Sequence, residues 1–204
     1  TVFNPETGDF EETKVNNLES GQYLSILIGE TENTNHTYQL LITNYSDVKQ
    51  RKQVNLPSIL DEKLAYILGF YMGNGHIMRR PINNGGSDRL VLAVPHDRPE
   101  TQQMLIENVK DVFGIDVSIY DGDGAVNNIA INSLSIVEFF EDNGFKKLGS
   151  PNAFVPDQIF SSPNEVIQAF IGGWFAADGS NKGRKAGLQI ASVSRVGIKG
   201  IQQL

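Results

Sequence analysis

The sequence predicts an α+β protein in which one helix-and-strand unit occurs twice, the second time incompletely, after a small β-rich segment. Three observations lead to this prediction. An apolar phrase that ends in a short polar residue and glycine occurs as Ile67–Gly75 and again as Ile171–Gly179. After each copy, short runs of strand-forming residues alternate with helical periodicity. The first 55 residues are instead polar and rich in turn residues, with a predicted strand at Tyr38–Thr43. We therefore expect three regions, 1–55, 56–150 and 151–204.

The first unit begins with a predicted helix over Leu60–Asn74. Acidic residues lie in its first turn, where they suit the helix dipole, and Gly75 ends it. A strand, a helix that starts at a proline, a hairpin and a short helix follow, over Arg89–Val94, Pro99–Phe113, Asp116–Tyr120 with Ala125–Ile131, and Leu134–Asn143.

The second unit starts in the same way after a linker over Phe145–Phe160. Ser162 is predicted to cap the next helix, with Pro163 at its first position and Glu165 completing a capping box. That helix is expected to run to Ala177, and a strand and the start of a helix follow over Leu188–Val193 and Val196–Leu204. The hairpin and last helix of the first unit have no counterpart, so we expect a further C-terminal segment or a second chain to complete this unit.

Small residues four positions apart lie on one face of each repeated helix. Gly69 and Gly73 are spaced in this way, as are Gly173 and Ala177. Because glycine inside a helix costs about 0.5–1 kcal/mol relative to alanine, these positions predict that two helix backbones approach closely. Bulky residues are then expected to pack outward into each unit's own core: Phe70, Tyr71, Trp174 and Phe175.

Each repeated helix ends in a polar residue. Asp178 falls at a helix C-terminus, which disfavours negative charge, and such an exception often marks a functional site. A carboxylate there can bind a hard cation such as Mg²⁺. The alternatives are that Asp178-Gly179 is simply a turn and that Asn74-Gly75 is simply a helix C-cap.

The charge distribution is uneven. The net charge is −7, yet residues 79–98 carry four Lys/Arg against two acids, and residues 179–204 carry five against none. This predicts a basic surface on an acidic body, or alternatively solvated loops. The chain has no Cys and only three scattered His, which excludes a disulfide framework and a zinc cluster. With no apolar run that could span a bilayer and no signal-like start, we expect a soluble, intracellular (cytoplasmic) protein.

The two phrases resemble the paired LAGLIDADG motifs of homing endonucleases, and the flanking segment Val155–Ser180 resembles the intein-encoded branch of that family. The resemblance covers about residues 56–204. It implies two pseudo-symmetric αββαββα units, paired motif helices, and antiparallel sheets that bind double-stranded DNA. It also implies a site-specific DNA endonuclease that hydrolyses phosphodiesters with Mg²⁺ or another divalent cation.

Residue roles follow from the resemblance. It makes Asp178 and Asn74 catalytic, and places a divalent metal at Asp178, Asn74, Gly73 and Ala177. It makes the following residues candidates for DNA contacts: Arg79, Arg80, Arg89, Lys182, Arg184, Lys185 and Gln189. His76 follows the first motif and could approach the DNA backbone, although a solvent or packing role is the more ordinary one for it.

Asn74 departs from the family pattern, because it is neutral where the motif has an acid. It binds a hard cation more weakly than a carboxylate does, which predicts an impaired half-site. Two alternatives remain open: a non-cleaving DNA-binding protein of this fold, such as a maturase or regulator, and a structural or protein-binding domain.

Residues 1–55 resemble the β-rich segment of an intein splicing domain over Gly8–Ile26. The Thr-x-x-His segment and the terminal His-Asn pair of such domains do not occur in the sequence. We therefore do not expect this chain to splice by itself.

Overall fold

A computed structural model describes residues 2–11, 13–24, 37–43, 53–79, 88–181 and 187–204. Its contacts divide the chain into two compact units, Thr1–Glu32 and Asn33–Leu204. The small unit holds a three-stranded antiparallel sheet of β1 (Val2–Phe3), β2 (Phe10–Glu11) and β3 (Tyr23–Leu24), in the order β2-β1-β3.

The larger unit combines helices with antiparallel strands, which confirms the predicted α+β class. Its elements are α1 (Glu62–Asn74), β4 (Gly75–Met78), β5 (Arg89–Pro95), α2 (Pro99–Phe113), β6 (Ser118–Asp121), β7 (Val126–Ile131), α3 (Leu134–Asp142), α4 (Asp157–Phe160), α5 (Asn164–Asp178), β8 (Gly179–Asn181), β9 (Leu188–Ile190) and α6 (Arg195–Gln203). The order α1-β4-β5-α2 is repeated as α5-β8-β9-α6. Among the described residues there is no helix with the length and hydrophobicity needed to cross a membrane.

Four of these strands form one antiparallel sheet in the order β4-β5-β7-β6. Because side chains alternate along a strand, one face of the sheet is apolar and covers the core. This face includes Leu90, Leu92, Ile129 and Ile131, all fully buried. In the second copy of the repeat, residues 151–204, β8 and β9 form a two-stranded counterpart of β4 and β5.

The core surrounds α1 on nearly every side. From Leu64 to Gly73 every residue of this helix is buried except Tyr66, which agrees with its all-round apolar sequence. Tyr71 packs edge-to-face on Phe140, with ring centroids 5.4 Å apart, within an aromatic cluster that also contains Phe113, Phe139 and Phe145.

Glycines bring α1 and α5 into backbone contact. A Cβ atom on Gly69 would overlap the carbonyl oxygen of Phe170, and a Cβ atom on Gly173 would overlap the carbonyl oxygen of Tyr66. Each glycine thus faces the main chain three residues before the other glycine, so the contact is reciprocal. The predicted close approach of two helices at these small residues is confirmed, and we call this contact the glycine seam.

Two predictions at element boundaries are wrong. Ser162 does not cap α5: its hydroxyl donates to the carbonyl of Gln158 at 2.7 Å, because the short helix α4 ends just before it. Residues 38–43 form a single bridge, Gln39 with Ile59, rather than a strand. This segment is held instead by Asn143, whose side chain bonds the N–H and C=O groups of Leu41.

Candidate functional site

The glycine seam brings the polar ends of α1 and α5 together. The side-chain amide of Asn74 donates to the carbonyl of Ala177 at 3.2 Å. A Cβ atom on Gly73 would contact Ala177 and would lie 3.2 Å from Oδ2 of Asp178. Asn74 and Asp178 are both partly exposed. The four residues expected to form one site therefore lie next to each other, while their chemical roles remain predictions.

Lys147 lies directly behind this pair. Its Nζ donates to the carbonyls of Met72 at 2.8 Å and Gly73 at 3.1 Å, which are at the C-terminal end of α1. The backbone N–H of Lys147 donates to the hydroxyl of Tyr71 at 3.3 Å, and its ammonium is 5.4 Å from the centroid of the Tyr71 ring. With 6% exposure, Lys147 is a buried cation at the site.

Arg98 makes the equivalent contact at the end of α5. It lies just before α2 in the first copy of the repeat, and its side chain reaches the second copy. There Nη1 donates to Ala176 O at 2.6 Å and Nη2 donates to Gly179 O at 3.2 Å. Helix C-termini carry a partial negative charge and unpaired carbonyls, so a cation there is favourable. Each motif helix therefore ends against a cation: Lys147 for α1 and Arg98 for α5.

Burial and charge perturb the ionisation of the site. Burial raises the pKa of Asp178, while the indole N–H of Trp174, Lys147 and Arg98 oppose the rise. Burial lowers the pKa of Lys147 to about 8, with the Asp178 carboxylate opposing that effect. The cluster thus combines a lysine, an arginine and an aspartate.

The donor set is suited to at most one divalent cation. Within the described part of the chain, no group of three or more His, Cys, Asp or Glu residues could hold a metal ion. Mg²⁺ is commonly held by one or two carboxylates together with substrate phosphates and water. Asp178, with the amide oxygen of Asn74 beside it, fits one such ion shared with a phosphate. A second ion has no carboxylate at the α1 end, where the carbonyl of Gly73 already bonds Lys147.

The predicted DNA-contact residues are spread over several environments. Arg79 is ion-paired with Asp88 and with Glu141, which also bonds Lys146 at 2.7 Å. Gln189 is exposed on β9. The remaining basic candidates on loops lie outside the described residues: Arg80, Lys182, Arg184 and Lys185.

Arg89 lies on the sheet face that points away from the core. Its guanidinium is 5.1 Å from the centroid of the Tyr120 ring, and Nη2 lies 3.0 Å from the sulfur of Met78. Its Nε is buried with no hydrogen-bond partner among the described residues. His76 shares this face, and partial burial of its ring, together with Lys147 and Arg89, lowers its pKa. Arg89 contributes the single Lys or Arg of these four strands, so the face carries little positive charge.

Lys147 and Arg98 are the site residues that sequence reasoning missed. Lys147 follows α3 in a linker with no recognisable motif. For Arg98 a signal existed, because it precedes Pro99 at a helix N-terminus, where a cation is unfavourable. Both contacts join residues more than seventy positions apart, so local patterns do not reveal them.

Comparison with known proteins gives distant relatives. No family model matches the chain. It is 27% identical over 157 residues to an A-type ATP synthase protein of Pyrococcus abyssi, covering 76% of this chain and 14% of that protein. It is 26% identical over 196 residues to a glutamine–fructose-6-phosphate aminotransferase of Methanocaldococcus jannaschii, covering 92% and 17%. It is 28% identical over 132 residues to a DNA polymerase of the same organism, covering 64% and 8%. The chain thus spans less than a fifth of each relative.

One solved structure that is similar to this chain is a mutant of I-SmaMI, a LAGLIDADG homing endonuclease. The superposition covers 64% of both chains at 15% sequence identity, with a TM-score of 0.35. Because this TM-score is low, the function of the chain has to be inferred from the geometry of its own helices.

Proposed function

We propose that this chain is a LAGLIDADG-type homing endonuclease of the intein-encoded branch, which hydrolyses phosphodiesters of double-stranded DNA with a divalent cation. The observation that carries the proposal is the glycine seam, which brings Asn74 and Asp178 together at the ends of α1 and α5. Two apolar helices that pair at glycines and bring their polar ends together are what the motif resemblance predicts. Fold alone is a limited guide to function, so the proposal depends on this site.

The relatives support the intein part of the proposal. Their names describe an aminotransferase, a DNA polymerase and a component of an ATP synthase, which are unrelated activities. None of these activities by itself accounts for a similar segment that forms a small fraction of all three proteins. An inserted, self-contained module accounts for this pattern.

The residues at the site suggest how the reaction would be divided among them. Asp178 and the amide oxygen of Asn74 would hold a divalent cation, which supplies Lewis-acid activation of the phosphoryl group and of a water nucleophile. The ammonium of Lys147 can donate a hydrogen bond to a phosphate oxygen, and Arg98 fixes the carbonyls that precede and follow Asp178. Because Asn74 is neutral, the α1 half-site holds a cation more weakly. We therefore expect one strand to be cut faster than the other.

A plasmid assay tests this proposal. The substrate is a supercoiled plasmid that carries the host gene, meaning the gene into which this module is inserted, with the insertion removed. The wild-type chain and Mg²⁺ should convert this plasmid mainly to nicked circles. Asp178→Asn should slow nicking at least about a hundredfold, because the carboxylate is lost, and Asn74→Asp should increase the linear product. Nicking that survives Asp178→Asn, or absence of nicking by both the wild type and Asn74→Asp, would rule out this catalytic role.

The second candidate is a DNA-binding protein of the same fold that does not cleave. The observation that favours it is the neutral Asn74 with Lys147 bonded to the neighbouring carbonyls. Salt-dependent DNA binding by the wild type and by Asn74→Asp, with no nick in Mg²⁺ or Mn²⁺, would favour it.

A further inference from the structure

We propose that Trp174 is a positioning residue for Asp178: its buried indole Nε1–H donates to the carboxylate and fixes the orientation of that group at the end of α5. The contact stands on the geometry of α5, while its consequence for DNA cleavage rests on the proposed function. The sequence predicts only a packing role for this tryptophan, in the core of its own unit.

The indole N–H of Trp174 lacks a well-formed hydrogen bond. Trp174 is fully buried, and its Nε1 has no partner with good hydrogen-bond geometry among the described residues. A buried donor without a partner is costly, and tryptophan N–H groups that are removed from water usually find one. The unpaired donor therefore points to an acceptor close by.

Asp178 is the acceptor that the helix places within reach. It follows Trp174 by four positions on α5, and side chains four apart lie on one face, with the later one leaning back toward the earlier one. Burial raises the pKa of Asp178, and the indole of Trp174 opposes this rise as a hydrogen-bond donor. Lys147 and Arg98 oppose it through their charge. Because the terminal torsion of aspartate is broad, the carboxylate can turn toward the indole at little cost.

The indole ring is held in place on two sides. Phe170 contacts it edge-to-face, with ring centroids 5.9 Å apart. A Cβ atom on Gly197 would lie 2.7 Å from Cη2 and 3.1 Å from Cζ2 of the indole, so α6 packs directly on its six-membered ring. Close packing of this kind keeps a side chain in one rotamer. The donor is therefore rigid, as a group that positions another must be.

The first copy of the repeat, residues 56–150, has neither member of this pair. Phe70 stands four residues before Asn74, as Trp174 stands four residues before Asp178. Phe70 is fully buried and has no side-chain donor, and the Asn74 amide donates to Ala177 O instead. An indole donor thus occurs at the helix end that carries an acid and is absent from the end that carries an amide. Packing alone is served by phenylalanine in the first copy, so the carboxylate accounts for the indole nitrogen in the second.

NMR of the ¹⁵N-labelled chain in excess EDTA near neutral pH tests the contact without a metal ion. Trp174 is the single tryptophan, so its indole N–H gives one cross-peak. A hydrogen bond to a carboxylate moves this proton downfield and slows its exchange with solvent. Asp178→Ala should therefore shift the peak upfield and speed exchange about tenfold or more. Asp178→Asn keeps a neutral oxygen acceptor and should give a smaller shift in the same direction.

Glu165→Ala is the matched control for loss of a carboxylate from α5. Glu165 is exposed in the first turn of the helix, nine residues before Trp174, and its removal should leave the peak and its exchange rate unchanged. An indole peak that stays in place in Asp178→Ala, or that moves equally in Glu165→Ala, would overturn the contact.

Trp174→Phe tests the consequence, because it gives α5 the arrangement found in α1. In the plasmid assay it should lower kcat for nicking about tenfold and leave KM for DNA unchanged, since the carboxylate is present but poorly oriented. Added to Asp178→Asn, it should cause no further loss, because the two residues act as a unit. An unchanged kcat, or a further loss in the double variant, would contradict the positioning role.

The contact and the nuclease can fail separately. An indole peak that responds to Asp178→Ala in a chain that does not nick DNA would retain the contact and remove the nuclease. Nicking that requires Asp178, with an indole peak that ignores it, would do the reverse. Should Trp174→Phe fail to fold, the cross-peak in the Asp178 variants still decides the question.

Discussion

Lys147 lies in an environment that lysines seldom occupy. Its ammonium is buried, yet it has no direct ion pair with Asp178; carbonyls at the end of α1 supply its described hydrogen bonds. Burying a charge without full compensation is costly, and such a cost persists most often where the residue has a chemical role. A lysine with a lowered pKa beside a carboxylate suits the binding or protonation of a phosphate oxygen near neutral pH.

The pH dependence of stability should report this environment. The pKa of Lys147 is about 8 in the folded chain against an ordinary value of 10.5. Between these values the unfolded chain keeps a proton that the folded chain has lost, so the free energy of unfolding rises with pH in this window. Relative to Lys147→Met, the wild type should gain on the order of 2–3 kcal/mol from pH 7.5 to pH 10. Urea denaturation of both proteins measures the difference, and a constant difference across this range would contradict the assignment.

Neighbouring glycines in α5 should respond oppositely to the same substitution. A Cβ atom on Gly173 would overlap the backbone of α1, whereas one on Gly172 meets nothing within 4 Å. Gly173→Ala should therefore destabilise the chain by about 3 kcal/mol or more, and Gly172→Ala should stabilise it by about 0.5–1 kcal/mol. Thermal unfolding of the two variants measures this, and similar effects at both positions would show that the seam is not closely packed.

At the level of elements, α6 is anchored by one buried serine. Ser194 accepts a hydrogen bond from Gly197 N at 3.0 Å and donates to Ala153 O at 2.5 Å. A Cβ atom on Gly197 would lie 2.7 Å from Cη2 of Trp174, so α6 packs closely on the indole of α5. The start of α6 is thus joined to the helix that carries Asp178.

Ser194→Ala should loosen α6 without unfolding the rest. Loss of the cap and of the bond to Ala153 should cost about 1–2 kcal/mol. Because the helix start packs on the single tryptophan, the emission of Trp174 should move to longer wavelength as water gains access. The exposed Ser150 offers a control, and Ser150→Ala should change neither value. Unchanged Trp174 emission in Ser194→Ala would show that α6 does not depend on this cap.

The sequence predicted the elements better than it predicted the contacts between them. The predicted helix Pro99–Phe113 is the observed α2, and the predicted starts of α1, α3 and α6 lie within two residues of the observed ones, because caps, prolines and glycines act locally. The predicted cap at Ser162 was wrong because its hydroxyl bonds the carbonyl of Gln158 in the preceding helix instead. Glycine spacing predicted the seam, since close approach requires small residues on one face. The cations at the helix ends could not be found in this way, because their partners are distant in sequence.

At the scale of the whole molecule, the charges act against nucleic-acid binding unless they are segregated. The net charge is −7, and the strands of the four-stranded sheet contribute one Arg. A dense cationic run, Lys182, Arg184 and Lys185, follows the second motif helix in the sequence. If this run contacts phosphates, most of the salt dependence of binding should come from it.

The triple variant Lys182→Met, Arg184→Met, Lys185→Met tests this. Each phosphate contact contributes about 0.9 to the slope of log Kobs against log salt concentration. The variant should therefore lower the magnitude of that slope by about three, as measured by fluorescence anisotropy with a labelled duplex. A Lys63→Met, Lys110→Met double variant removes exposed cations that pair with Asp111 and Asp116 and should leave the slope unchanged. A slope that responds equally to both variants would indicate a general charge effect.

The reciprocal glycine seam also bears on how such a protein can change over time. A side chain at Gly69 or Gly173 would overlap the backbone of the facing helix, so the fold requires glycine at these two positions. The polar tips, by contrast, accommodate aspartate at one helix and asparagine at the other without disturbing the pairing. If the proposed nuclease activity depends on these tips, substitutions there can remove it while the paired helices persist.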